Sequence, residues 1–143
     1  MGNIGNTHAR CYQADGRAEV VAVCDVIEEK AQAAASRYGC QAFGSVPELL
    51  ASAIGIDAAS VATAGAENGA HHYEPTMQLL GAGIPVLGEK PISNDIGQAR
   101  DMVACARQRR VPYAINLNHR FTPAARKARE WLEVGRLGEL SMV

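Results

Sequence analysis

Lys90 leaves a short apolar run, Val86-Leu87-Gly88-Glu89, and is followed at once by Pro91. A lysine at a strand end suits proton transfer when partial burial or cationic neighbours favour its neutral amine. A solvated strand-end lysine reads the same way, so both readings stand at this point. Asp25 closes a second apolar run, Glu19–Cys24, and follows Gly5 by twenty residues, with Gly2 three residues before Gly5. In a dinucleotide-binding unit such glycines let the backbone approach a pyrophosphate and let helix pack on strand, and an acid at about that distance takes the ribose hydroxyls. The pyrophosphate would meet the amides around Asn3 and Ile4 at the helix start. A carboxylate at Asp25 repels a 2′-phosphate, and Val26, Ile27 and Glu28 bring no arginine to neutralise one. NAD is therefore favoured over NADP as the cofactor.

Two further strand ends carry polar residues. Ile56–Thr63 is apolar and opens into the small-residue loop Ala64–Ala70; Tyr113–Asn118 runs into His119-Arg120. Ligands of parallel α/β sheets bind beyond the carboxyl ends of the strands. That rule converges Asp25, Thr63 with Ala64, Glu89-Lys90 and Asn118-His119-Arg120 on one sheet edge. His119 and Arg120 could bind an anionic or hydroxylated substrate, or could cap a strand end beside Phe121. His71 and His72 are adjacent and point in different directions on a helix, which suits capping or packing of the cofactor loop better than a metal. Cys11, Cys24, Cys40 and Cys105 contain no C-x-x-C pair and read as free thiols of a reducing cytosol. No metal site is expected.

The elements that must position these residues follow from pattern. Helices are expected over Asn6–Ala14, over Glu28–Tyr38 with Ile27, Ala31, Ala34 or Ala35 and Tyr38 on one stripe and Gly39 as a left-handed stop, and over a short turn capped by Ser45-Val46-Pro47-Glu48. Others start near Pro75, at Ser93 or Asn94 with Ile96, Ala99, Val103 and Ala106 inward, and at Thr122-Pro123 with Ala124, Ala128, Trp131 and Leu132. Gly135 stops the last. Strand and helix alternate with short loops, the mark of right-handed crossovers and a parallel sheet. The fold class is thus α/β, a Rossmann-type doubly wound parallel sheet. The turn would be preceded by a strand and another glycine, for which the chain has no residues before Gly2. In the order 3-2-1-4-5-6 that strand is central, so the strands ending at Asp25 and Thr63 would lack their common neighbour.

At 143 residues the chain can bury one core, and 48% apolar with 20% charged residues is ordinary globular composition. A formal charge of −1 gives no reason to expect nucleic acid or an anionic membrane. No apolar run approaches the roughly 20 residues that span a bilayer, and the N-terminus lacks a signal-peptide layout.

Together, Gly2-Asn3-Ile4-Gly5-Asn6-Thr7-His8-Ala9, Val23-Cys24-Asp25, Val86–Pro91, Asn118-His119-Arg120-Phe121 and Gly135–Leu140 resemble the N-terminal domain of the glucose–fructose oxidoreductase and inositol dehydrogenase (Gfo/Idh/MocA) family. The resemblance covers essentially the whole chain, and Glu-Lys-Pro after a strand is its most specific part. It implies NAD(P)-dependent hydride transfer at a secondary alcohol of a sugar, cyclitol or related polyol. Lys90 matches the family lysine that contacts the reacting hydroxyl, before an expected cis bond to Pro91. Glu89 matches the acid at the nicotinamide end, Thr63 and its loop the segment passing the cofactor, and His72 a histidine after that loop. The loop Ala64–Gly69 is longer and richer in glycine than the family's Thr-Pro-Asn.

On this reading residues 1–137 are the NAD(P)-binding domain, incomplete at its start, and 138–143 begin the family's second, α+β domain, which carries other catalytic groups and the homo-oligomer interface. The chain alone is expected to turn over little or no polyol. A cytoplasmic location is expected. The alternatives are a non-catalytic nucleotide-binding or sensor module, against which Lys90 argues, an inactive fragment, and a methyltransferase, weakened by Glu89-Lys90-Pro91.

Overall fold

The computed structural model describes residues 1–64 and 69–141. The chain runs α1 (Asn3–Ala14), β1 (Ala22–Cys24), α2 (Glu28–Tyr38), β2 (Gln41–Phe43), α3 (Val46–Ala51), β3 (Ala59–Val61), α4 (Tyr73–Gly81), β4 (Val86–Gly88), α5 (Ile96–Arg109), β5 (Tyr113–Ile115), a single 3-10 turn (Asn118–Phe121) and α6 (Pro123–Glu133). All strand pairs are parallel, as the alternation requires.

The strands form two sheets, β1-β2 and β3-β4-β5. β1 and β3, which the sequence reading leaves without a common neighbour, each end a sheet. Two apolar cores follow the same division. Ala9, Val23, Ala34, Ala35 and Tyr38 fill one, between α1, α2 and β1; Val61, Leu79, Leu80, Val86 and Ala106 fill the other, between β3, β4, α4 and α5. α1 touches both halves, packing on α2 and on β3.

Local chemistry sets the ends of the elements. Ser45 caps α3 by accepting the Glu48 amide, and Glu48 accepts the Gly44 amide in return. Gly39 ends α2 at φ +69°, and Gly135 follows α6 at φ +73°. α5 begins later than the pattern suggests: Asp95 is its cap, accepting the Gln98 amide at 2.8 Å, while Ser93 supports the turn by accepting the Asp95 amide. Its inward residues are Met102 and Ala106, and Ile96 is exposed. Ile27 likewise lies outside the buried face of α2. Each strand is shorter than its apolar run, because pairing holds over three residues only. α1 is longer, starting at Asn3 with Gly2 as its cap.

Register is what positions the site. Ala59, Val86 and Tyr113 stand side by side, as do Val61, Gly88 and Ile115. The three strands therefore end flush, and their next residues emerge on one edge. Two further bonds continue the ladder: the Glu89 amide donates to the Val61 carbonyl and the Asn116 amide to that of Gly88.

Candidate functional site

Glu89 lies at the centre of that edge. Its Oε1 accepts from Asn116 Nδ2 at 2.6 Å and from His8 Nε2 at 2.9 Å, and its Oε2 accepts the Lys90 amide at 3.2 Å. Burial alone would raise the Glu89 carboxyl, but the hydrogen bonds from Asn116, His8 and the Lys90 amide outweigh it and hold the group below the ordinary carboxylate range. Lys90 is exposed, and its bond to Pro91 is cis, as the resemblance implies.

Behind this turn, His72 is 3% exposed and reaches two main-chain oxygens, Pro91 O with Nδ1 and Thr63 O with Nε2, each at 2.7 Å. The Thr63 hydroxyl donates to His71 O at 2.6 Å. His72 thus ties the end of β3 to the Glu-Lys-Pro turn, with both ring nitrogens engaged by the backbone. Gly69 completes the lock: its φ is +85°, and a Cβ there would lie 2.9 Å from Pro91 Cγ. Ala64 is exposed beside Thr63, while Gly65, Ala66, Glu67 and Asn68, the rest of the predicted cofactor loop, lie outside the described residues.

Gly2 to Gly5 form the start of α1. No side chain caps this end, so the first-turn amides of Asn3, Ile4 and Gly5 have no intrahelical acceptor, and a Cβ at Gly2 would meet nothing within 4 Å. That open, uncapped turn suits an anion. Gly5 differs from expectation. A Cβ there would make ordinary contacts, 3.5 Å to Met1 Sδ and 4.0 Å to Ala62 Cβ, so helix-on-strand packing does not demand glycine.

Asp25 follows β1 beside this turn. Its Oδ1 accepts the Ile27 amide at 2.9 Å and its Oδ2 pairs with the Met1 amino group at 2.8 Å. Burial would raise this carboxyl; the bonds from the amino group and Ile27, together with the charges of the amino group and Lys30, hold it below its ordinary range.

The 3-10 turn carries Asn118, His119 and Arg120, all exposed. Arg120 lines a surface cavity of about 260 Å³ with Phe121, Arg126, Arg129, Glu130 and Glu133, a lining that includes neither Glu89 nor Lys90. The strand-end asparagine that reaches Glu89 is Asn116. His8, Ser60 and Asn116 are the site residues that sequence reasoning passes over. His8 lies three residues after Gly5, hence about one helical turn above the glycine start, and this is the signal that could have found it. Among the described residues no group of three or more His, Cys, Asp or Glu side chains is placed to hold a metal ion, and all four cysteines are free.

Parallel strands whose carboxyl ends gather an uncapped glycine turn, a carboxylate and a Glu-Lys-Pro turn define a dinucleotide-binding α/β domain. Residues 1–117 match the model of the Gfo/Idh/MocA family, described as an oxidoreductase family with an NAD-binding Rossmann fold, and the chain belongs to that family. Among curated relatives, D-glucoside 3-dehydrogenase of Escherichia coli is 35% identical over 93% of this chain and 37% of its own length. Inositol 2-dehydrogenase of Rhizobium meliloti is 29% identical over 99% and 41%. Among solved structures, the WlbA dehydrogenase of Bordetella pertussis, in complex with NADH and UDP-GlcNAcA, superposes with a TM-score of 0.88 at 27% identity, over 96% of this chain and 42% of that one. The chain spans about two fifths of the length of these relatives.

Proposed function

We propose that this chain is the nucleotide-binding part of an NAD-dependent dehydrogenase acting on a secondary alcohol of a sugar, cyclitol or related polyol. The observation that carries the reading is the flush register of β3, β4 and β5, which delivers Glu89, Lys90 and Asn116 together at the sheet edge. The relatives named above act on a glucoside and on inositol. When bound, the nicotinamide supplies the hydride acceptor or donor. The first-turn amides of α1 hold the pyrophosphate, and Asp25 holds the ribose hydroxyls and disfavours a 2′-phosphate. Glu89 and Asn116 orient the turn that presents Lys90, whose exposed amino group donates a proton as the ammonium, or accepts one as the neutral amine, at the reacting hydroxyl. Thr63 and Ala64 flank the cofactor, with His72 setting their distance from Pro91. Asn118 extends the cofactor side, and His119 and Arg120 face the substrate.

We further place the domain boundary at residue 137, with homo-oligomerisation through later sequence and a cytoplasmic location in keeping with four free thiols. No described helix is long and apolar enough to cross a membrane.

Equilibrium titration of the 143-residue chain with NAD, NADP and S-adenosylmethionine tests the reading. NAD should bind about tenfold or more tightly than NADP, and Asp25→Ser should narrow that gap. Preference for S-adenosylmethionine, or no NAD binding at millimolar concentration, would sink it.

A further inference from the structure

We infer that His8 is a positioning residue: it couples the cofactor-binding start of α1 to Glu89 and so sets the nicotinamide end of the site, a role that rests on the NAD reading above. His8 and Glu89 are 81 residues apart in sequence, yet His8 Nε2 lies 2.9 Å from Glu89 Oε1, with the two side chains only 10% and 12% exposed. An ionised carboxylate only accepts, so Nε2 is the nitrogen that carries the proton in this contact. Nδ1 lies 2.6 Å from the Ser60 hydroxyl, whose Oγ accepts from Tyr12 OH at 3.2 Å. Tyr12, Ser60, His8 and Glu89 thus form one connected chain of polar contacts that leaves α1 at Tyr12, returns to it at His8 and ends on the Glu89 carboxylate.

Three features make this more than helix packing. The acceptor oxygen is shared with Asn116, so α1 and the end of β5 hold one carboxylate from two sides. The other oxygen holds the Lys90 amide, so whatever turns Glu89 also turns the Lys90 backbone. His8 lies about one helical turn beyond the uncapped amides proposed to hold the pyrophosphate. A ligand that engages only α1 and Asp25 is insensitive to where Glu89 points. One that also engages the Glu89-Lys90 turn is sensitive. NAD is of the second kind and ADP of the first.

The test compares NAD and ADP binding by calorimetry in the 143-residue chain and its variants, beside a carbon-13 carboxyl titration of Glu89. His8→Leu should weaken NAD about tenfold, equivalent to ~1.4 kcal/mol, and leave ADP within about twofold. It should also move the Glu89 titration upward. His8→Gln, whose amide can donate from near the position of Nε2, should recover NAD affinity to within about threefold and restore the titration. Should His8→Leu fail to fold, Ser60→Ala removes the support behind the ring and should show the same selective loss at smaller size. Equal losses of NAD and ADP, no loss of NAD, or an unmoved Glu89 titration would overturn the proposal. If the unmodified chain binds neither nucleotide, the NAD reading falls with the cofactor part of this one, while the titration still decides whether His8 holds Glu89.

Discussion

Glu89 is held by donors from three parts of the chain: His8 on α1, Asn116 after β5 and its own neighbour Lys90. Hydrogen bonds to a charged acceptor are worth more than neutral ones, so Asn116→Ala should cost about 1–2 kcal/mol in urea unfolding. Lys90→Ala, at an exposed position, should stay within about 0.5 kcal/mol. Because Asp25 and Glu89 both titrate below their ordinary ranges when folded, the unfolded chain takes up protons first as pH falls. Their contribution is whole above about pH 4.5 and is lost as pH drops through the folded values. Glu89→Gln should flatten the acid limb of a stability–pH curve; an unchanged limb would show that the group stabilises nothing. Lys90 and Glu89 were legible in sequence because an apolar run ending in charge marks a strand end. His8 and Ser60 were not, since their meeting depends on how α1 crosses β3.

At the scale of elements, caps and glycines give the sharpest expectations. Asp95→Ala removes the acceptor for the Gln98 amide and should cost about 1 kcal/mol, while the Ser93 hydroxyl accepts the Asp95 amide and donates to Gln98 Oε1. Gly69→Ala meets both a left-handed backbone and a 2.9 Å approach to Pro91, and about 1–3 kcal/mol should be lost in thermal or urea unfolding. No such cost attends Gly5→Ala on packing grounds, so a loss of NAD binding there without a loss of stability would mark ligand approach. Pattern located the six helices and β1, β3, β4 and β5, and Ser45, Gly39 and Thr122 stand where turn chemistry puts them. It overextended the strands, because apolar runs report burial while strand length depends on partners that alternation alone does not specify. On α5 it chose Ile96 over Met102, while Ala106 is buried and Ala99 and Val103 partly buried as expected, since two overlapping apolar stripes fit the same helix.

The molecule is two half-sheets with separate cores, linked by α1. On it, His8 and Tyr12 reach Ser60, while Asn6 accepts the Tyr38 hydroxyl at 2.8 Å on the other side. α6 packs chiefly against the 3-10 turn, leaving Phe121, Trp131 and Leu132 exposed. Trp131→Gln with Leu132→Gln should therefore change stability by less than about 0.5 kcal/mol; its stripe was legible, but no described surface receives it. Lys90 stands exposed beyond the end of β4. The 143-residue chain should accordingly show no measurable polyol oxidation in a spectrophotometric NADH assay, even at saturating NAD. The lock made by His72, Thr63, Gly69 and Pro91 has a consequence for tolerance to sequence change. It joins the end of β3 to the Glu-Lys-Pro turn through one buried ring, so His72 is where sequence change near this turn would be felt. A library varied at position 72 should therefore retain few stable members in a thermal-unfolding screen, because a replacement side chain must bridge Thr63 O and Pro91 O from the same buried place.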